Sequence, residues 1–163
     1  PVSWEQAAPI LTARLPKMAE EDLHRAHSLF GGAIGQVLDG VSDGAFRQVL
    51  DLVPKMAEAI VSRSEADLML LCGPLEKEKE LLTGVLTGLS LVCRDALVCQ
   101  YGGATHLSTA PEVARMLSTR LTGGRILAMM EQLEALRNSQ LRNMNNTLLL
   151  TRLCACLRQA AGY

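Results

Sequence analysis

The chain has 163 residues, 16 Lys and Arg against 17 Asp and Glu, and a net charge of −1, which argues against bulk attraction to nucleic acid or to an anionic membrane. Hydrophobic residues make up 48% of it but aromatic residues only 3%, which leaves Leu, Val, Ala, Met and Cys to build the core. Unbranched side chains keep their rotamer freedom in helices, whereas sheets favour the β-branched and aromatic types scarce here, so the composition points to an all-α fold.

In chain order, Ser3 with Gln6 three residues on predicts a short helix from Ser3 to Leu15, with Pro9 placed to kink or limit it. The acidic start Glu20-Glu21-Asp22 and the apolar stripe Leu23, Ala26, Leu29 and Phe30 predict a helix over 20–30, ended by Gly31-Gly32. A second short helix is expected from Ala33 to Leu38, with Gly40 as its stop. Ser42 or Asp43 opens a longer one whose period of 3.6 residues runs to about Arg63 through Pro54. Ser64 is placed to cap a helix over 65–72 that Gly73-Pro74 ends.

The strongest helical pattern spans 75–101, apolar at Leu82, Val85, Leu86, Leu89, Val92, Cys93, Ala96 and Leu97, and predicts a central buried helix. Polar and glycine interruptions between Leu81 and Val98, among them Arg94 and Asp95, set this run short of a membrane span. A loop follows over 102–108. Thr109 with Pro111 predicts a helix to about Leu121, Thr122 caps another over 123–142, and Asn145 caps the last, over 146–160, apolar on two adjacent sides. Helices of this length joined by short loops pack as antiparallel neighbours in a bundle. The expected boundary lies near Gly40, with 1–40 a unit of short helices and 41–163 the bundle.

Charge is unevenly spread. Residues 1–109 carry nine Lys and Arg against fourteen Asp and Glu, while 110–163 carry seven Arg against three Glu. The seven arginines are Arg115, Arg120, Arg125, Arg137, Arg142, Arg152 and Arg158, and docking to an acidic partner competes with a solvated surface as their reading. His24 and His27 share a helix face near Glu20 and Glu21, but without a third convergent ligand they read as polar surface rather than a metal site. Cys154 and Cys156 point about 200° apart on a helix and cannot chelate one ion together. The odd set of five cysteines fits reduced thiols in a core, and with no leader pattern at the start the chain is expected in the cytoplasm. Nothing matches a phosphate loop, a nucleophile elbow or a paired-carboxylate site, so neither catalysis nor a cofactor is expected.

Two stretches carry a family resemblance. The first is Gly124-Arg125-Ile126-Leu127, Gln132-Leu133-Glu134-Ala135-Leu136-Arg137 and Asn143-Met144-Asn145-Asn146-Thr147-Leu148-Leu149-Leu150-Thr151-Arg152-Leu153. It resembles the final two helices of the delta-prime subunits of bacterial DNA polymerase III clamp loaders, in which an Asn-x-Asn turn leads into a leucine-rich last helix. Thr151 departs from that pattern, which often has Glu there. The second stretch is His27 to Leu38, with Gly31-Gly32 and Gly35. It is similar to the end of the lid subdomain in the AAA+ module of clamp-loader subunits, and Gly35 stands where ATP-binding relatives place a sensing arginine.

This resemblance implies that 1–40 is the remnant of an AAA+ lid with a degenerate nucleotide-sensor turn at Gly32 and Gly35, and that 41–163 is a helical collar. It implies a non-catalytic assembly role with the gamma/tau ATPase subunits and the delta subunit as partners, no direct contact with nucleic acid, and self-association of the isolated chain. Arg125, Arg137, Asn143 and Asn145 are its interface or helix-end residues. The AAA+ module of such a protein lies upstream, so the chain is expected to be a piece of a longer one. Two alternatives stand beside it: a small-molecule sensor or enzyme with a bundle pocket at Met129 and Met130, and a collar of the ATPase subunit, which Gly35 disfavours.

Overall fold

A computed structural model describes residues 2–42, 44–103, 107–142 and 144–163. Among them the chain forms nine α-helices and no strand: α1 Trp4–Arg14, α2 Glu20–Leu29, α3 Ile34–Ser42, α4 Ala45–Ile60, α5 Glu65–Cys72, α6 Lys79–Gln100, α7 Pro111–Arg120, α8 Gly123–Leu141 and α9 Asn146–Ala161. The fold is all-α, as composition and periodicity require.

The centre of the fold is α6, which packs against α2, α4, α7 and α8, while α9 pairs with α8 and also touches α4 and α5. The first three helices pack on one another and lean on the bundle through α2 against α6 and α3 against α4. One continuous buried cluster runs from Ala7 and Leu11 through Val53, Met56, Leu82, Leu86 and Ile126 to Leu153 and Leu157. By length and composition α6 is apolar enough to cross a membrane, contrary to the expectation from its interruptions, yet 61% of that stretch is buried inside the fold. Its apolar surface is spent on neighbouring helices.

Close approach of α4 to α6 depends on two glycines four residues apart. A Cβ added at Gly84 would stand 2.7 Å from Cγ2 of Val49, and one at Gly88 would stand 2.6 Å from Cγ2 of Val53. Carbon atoms in contact sit about 3.5–4.0 Å apart. The glycines are therefore the seat of the α4–α6 crossing.

Several helix ends differ from expectation. α1 continues through Pro9, its sixth residue, at the loss of the N–H that would otherwise bond the carbonyl of Glu5. Gly40 does not stop α3, which runs on to Ser42; the ring of Phe30 lies against Gly40, where a Cβ would meet Cζ at 2.3 Å. The start of α4 is set by Gly44 at φ 85°, a left-handed conformation suited to glycine, and Asp43 lies outside the described residues. Gly73-Pro74 carry the chain into a 3-10 turn, Gly73–Glu76, so α6 begins at Lys79. Ala110, not Thr109, precedes α7.

Candidate functional site

The α8–α9 hairpin carries the residues singled out in the sequence. Thr122 caps α8, its hydroxyl accepting from the backbone N–H of Arg125 at 3.4 Å. Asn145 caps α9 as expected, its side-chain oxygen accepting from the N–H of Leu148 at 3.3 Å. Asn143 lies outside the described residues. The start of α9 is tied to the 3-10 turn as well: Asn146 Nδ2 donates to the carbonyl of Glu76 at 2.9 Å, and the Thr147 hydroxyl donates to the Glu76 carboxylate.

Arg125 and Arg137 stand apart, at opposite ends of α8. Gly162, at φ 86°, closes α9, and a Cβ there would meet Cζ of Arg125 at 2.4 Å. Arg125 thus lies over the backbone that ends α9, where a cation meets the negative end of the helix dipole. Arg137 instead lines a cleft of about 280 Å³ between α2, α3, α4 and α6, whose lining includes the polar Gln36, Asp39 and Glu80 and the apolar Phe30 and Val49. The structure does not bring Arg125, Arg137 and Asn145 into one cluster.

The two sensor-turn residues have different backbone settings. Gly31 and Gly32 take positive φ, 60° and 78°, to end α2, and the N–H of Gly32 bonds the carbonyl of His27 at 2.9 Å. Gly35 lies exposed on the first turn of α3 with nothing within 4 Å of an added Cβ, so packing does not demand glycine there.

Beyond these, the fold gives several polar residues long-range partners that their local sequence does not indicate. Arg158 reaches from α9 to the end of α4, donating from Nη1 to the carbonyls of Ala59 at 3.1 Å, Ile60 at 3.5 Å and Ser62 at 3.0 Å. Gln100 does the same for α7, donating to the carbonyls of Ser118 and Leu121 at 2.9 and 2.7 Å. Buried Gln140 joins α8 to α6 through the carbonyl of Lys79 and the hydroxyl of Thr83. Fully buried Asp95 accepts from the backbone N–H groups of Leu107 and Ser108 at 2.9 and 2.7 Å and from Arg94 at 2.7 Å. A buried carboxylate persists only with such donors.

His27 is not polar surface: it is buried, its Nε2 donates to the carbonyl of Val2 at 2.9 Å, and Trp4 packs edge-on to both His24 and His27. Among the described residues no group of three or more His, Cys, Asp or Glu side chains is placed to hold a metal ion. Met129 is buried and Met130 packs against the core, and neither lines the cleft beside Arg137.

The exposed surface is more informative for assembly. Leu141, at the end of α8, is 78% exposed, and Leu148, at the start of α9, is 63% exposed. Met69 and Leu70 on α5 are exposed at 55% and 77%. Leu141 and Leu148 flank the turn between α8 and α9, and Met69 and Leu70 lie on the helix leading into the 3-10 turn to which the start of α9 is tied. Of the seven late arginines, Arg115 pairs with Glu112 at 2.6 Å and Arg158 is spent on α4, while Arg120, Arg142 and Arg152 are exposed. No protein-family model matches the chain, and no curated protein matches it.

Proposed function

We propose that this chain is a non-catalytic, cytoplasmic assembly segment of a bacterial DNA polymerase III clamp loader of the delta-prime type, with 1–40 the remnant of an AAA+ lid and 41–163 the collar. The resemblance in the α8–α9 hairpin supports the reading. The observation that carries it furthest is the exposure of Leu141 and Leu148 at that same hairpin turn, beside the exposed Arg142. Leucines left in water at the most family-like part of the chain are what a subunit separated from its neighbours presents. The all-α bundle and the unhindered glycine at Gly35 are compatible with it.

The partners are the gamma/tau ATPase subunits and delta, met through the collar, without direct contact to nucleic acid from this segment. The test is light-scattering chromatography of the chain mixed with the collar regions of those subunits from the same source, at low and moderate salt. A stable mixed assembly that Leu148→Glu with Leu141→Glu abolishes supports the proposal. A chain that stays monomeric with every partner overturns it.

A further inference from the structure

Cys72 ends α5 and Cys154 lies in the middle of α9, 82 residues further along the chain, yet their sulfurs stand 3.6 Å apart in a hydrogen-bonded thiol pair. A disulfide requires about 2.05 Å between sulfurs, so an approach of roughly 1.5 Å separates the thiol pair from a covalent link. That displacement is small for side-chain rotation combined with a shift of α5, a two-turn helix whose outer residues Met69 and Leu70 face solvent.

We propose that Cys72 and Cys154 form a peroxide-oxidisable dithiol, a modification site at which a reversible disulfide fastens α5 to α9. The two sulfurs have different roles. The hydrogen bond from Cys72 holds the Cys154 thiol below its ordinary range, assisted by Arg158 one turn along and opposed by burial and by Glu65, whereas the same contact and burial push Cys72 upward. Arg158 lies four residues along α9 from Cys154, on the same helix face, and this cation on the Cys154 side makes Cys154 the attacking sulfur and Cys72 the resolving one.

In the first step the Cys154 thiolate attacks one peroxide oxygen and the O–O bond breaks. The hydroxide released takes up the proton that Cys154 lost and leaves as water, and the sulfur, oxidised by two electrons, becomes a sulfenic acid. In the second step Cys72 attacks the Cys154 sulfur. The S–S bond forms, the S–O bond breaks, and the leaving hydroxide takes the Cys72 proton as a second water. Two thiols and one peroxide give one disulfide and two waters.

The other cysteines lack this arrangement. Burial pushes the Cys93 thiol up to about 12, which keeps it an unreactive thiol. Cys156 points away from Cys154 on the same helix, and Cys99 is half-buried on α6. Both are more open to solvent than the pair, so the proposal requires geometry to outrank simple exposure.

The test is made on the whole reduced chain with one equivalent of hydrogen peroxide, then digestion with trypsin without reductant. The expected product links peptide 64–77 to peptide 153–158 and disappears on reduction. Because 153–158 holds both Cys154 and Cys156, the same map is made on Cys156→Ser, where the link persists. Cys72→Ser, oxidised in the presence of dimedone, accumulates the sulfenic-acid adduct on Cys154. The wild-type map does not depend on any variant folding. Absence of the 64–77 to 153–158 link while Cys99 or Cys156 is oxidised overturns the proposal, as does a link lost in a folded Cys156→Ser protein. A dimedone label on Cys99 or Cys156 in place of Cys154 overturns the assignment of roles.

Discussion

Replacing Gly88 by Ala tests the seat of the α4–α6 crossing. On an open helix face this change stabilises by about 1 kcal/mol, because glycine carries the larger backbone entropy. Here the new methyl would stand 2.6 Å from Val53 Cγ2 and 3.5 Å from both Val53 Cγ1 and Leu29 Cδ1, an overlap of about 1 Å with the first. Val53 is fully buried within a helix, where a β-branched side chain is held to essentially one rotamer, so the overlap is relieved by shifting α4. Overpacking of this kind costs about 1–3 kcal/mol. Gly88→Ala is therefore expected to destabilise the chain by about 1 kcal/mol net. Val53→Ala alone is destabilising as well, since it removes two buried methyl groups, by about 2 kcal/mol. In the double variant the added methyl occupies part of the space just vacated, and the two losses should fall short of their sum by about 2 kcal/mol. Urea unfolding, followed both by helical circular dichroism and by fluorescence of the single tryptophan, Trp4, gives the three free energies if the slope with denaturant stays constant. A Gly88→Ala variant that is more stable than the parent, with effects additive to within about 0.5 kcal/mol, would refute the reasoning.

Four further outcomes are expected. Arg158→Met strips three carbonyls at the end of α4 of their donor and should lower stability by about 2 kcal/mol in urea, whereas Arg152→Met, on the exposed side of the same helix, should change it by less than about 0.5 kcal/mol. Asp95→Ala leaves the N–H groups of Leu107 and Ser108 without their acceptor, so amide exchange at those two positions should accelerate and the chain should lose about 2–4 kcal/mol. Asn145→Ala removes the cap of α9 and should cost about 1 kcal/mol, with Asn145→Asp costing little. Cys93 ionises near 9.0 when unfolded and near 12 when buried, so its contribution to stability is intact below pH 9 and is lost progressively between pH 9 and about 12. A Cys93→Ala chain should show the shallower fall over that window, the difference approaching about 1.4 kcal/mol per pH unit.

The features legible in the sequence are those written in local periodicity. The stripe from Leu82 to Leu97 places α6 at the centre, and the Asn145 cap places the start of α9, because both depend on residues within a few positions of one another. What the sequence hides is set by partners far along the chain. Gly40 reads as a helix stop when its conformational freedom alone is considered, but the ring of Phe30 occupies the space a side chain would need, and α3 passes through it. His24 and His27 read as polar surface until Trp4 is folded over them.

The polar residues of α6 teach the more general point. Arg94 and Asp95 enter the sequence reading as interruptions of an apolar run, a mark against membrane insertion, and Gln100 lies just beyond that run. In the fold, Asp95 and Gln100 bind the backbone at the two sides of α7, one holding the segment that leads into it and the other closing its last turn. A polar group inside a buried helix must find a partner or destabilise the fold, and the partners cheapest to reach are backbone groups left open at the ends of neighbouring helices. Arg158 at the end of α4 and Gln140 against the first turns of α6 follow the same rule. In a core this poor in aromatic residues, where leucines pack without much directional preference, such contacts select which helix ends meet. The bundle's interior is specified by apolar period, and its register by a few long polar side chains that reach across it.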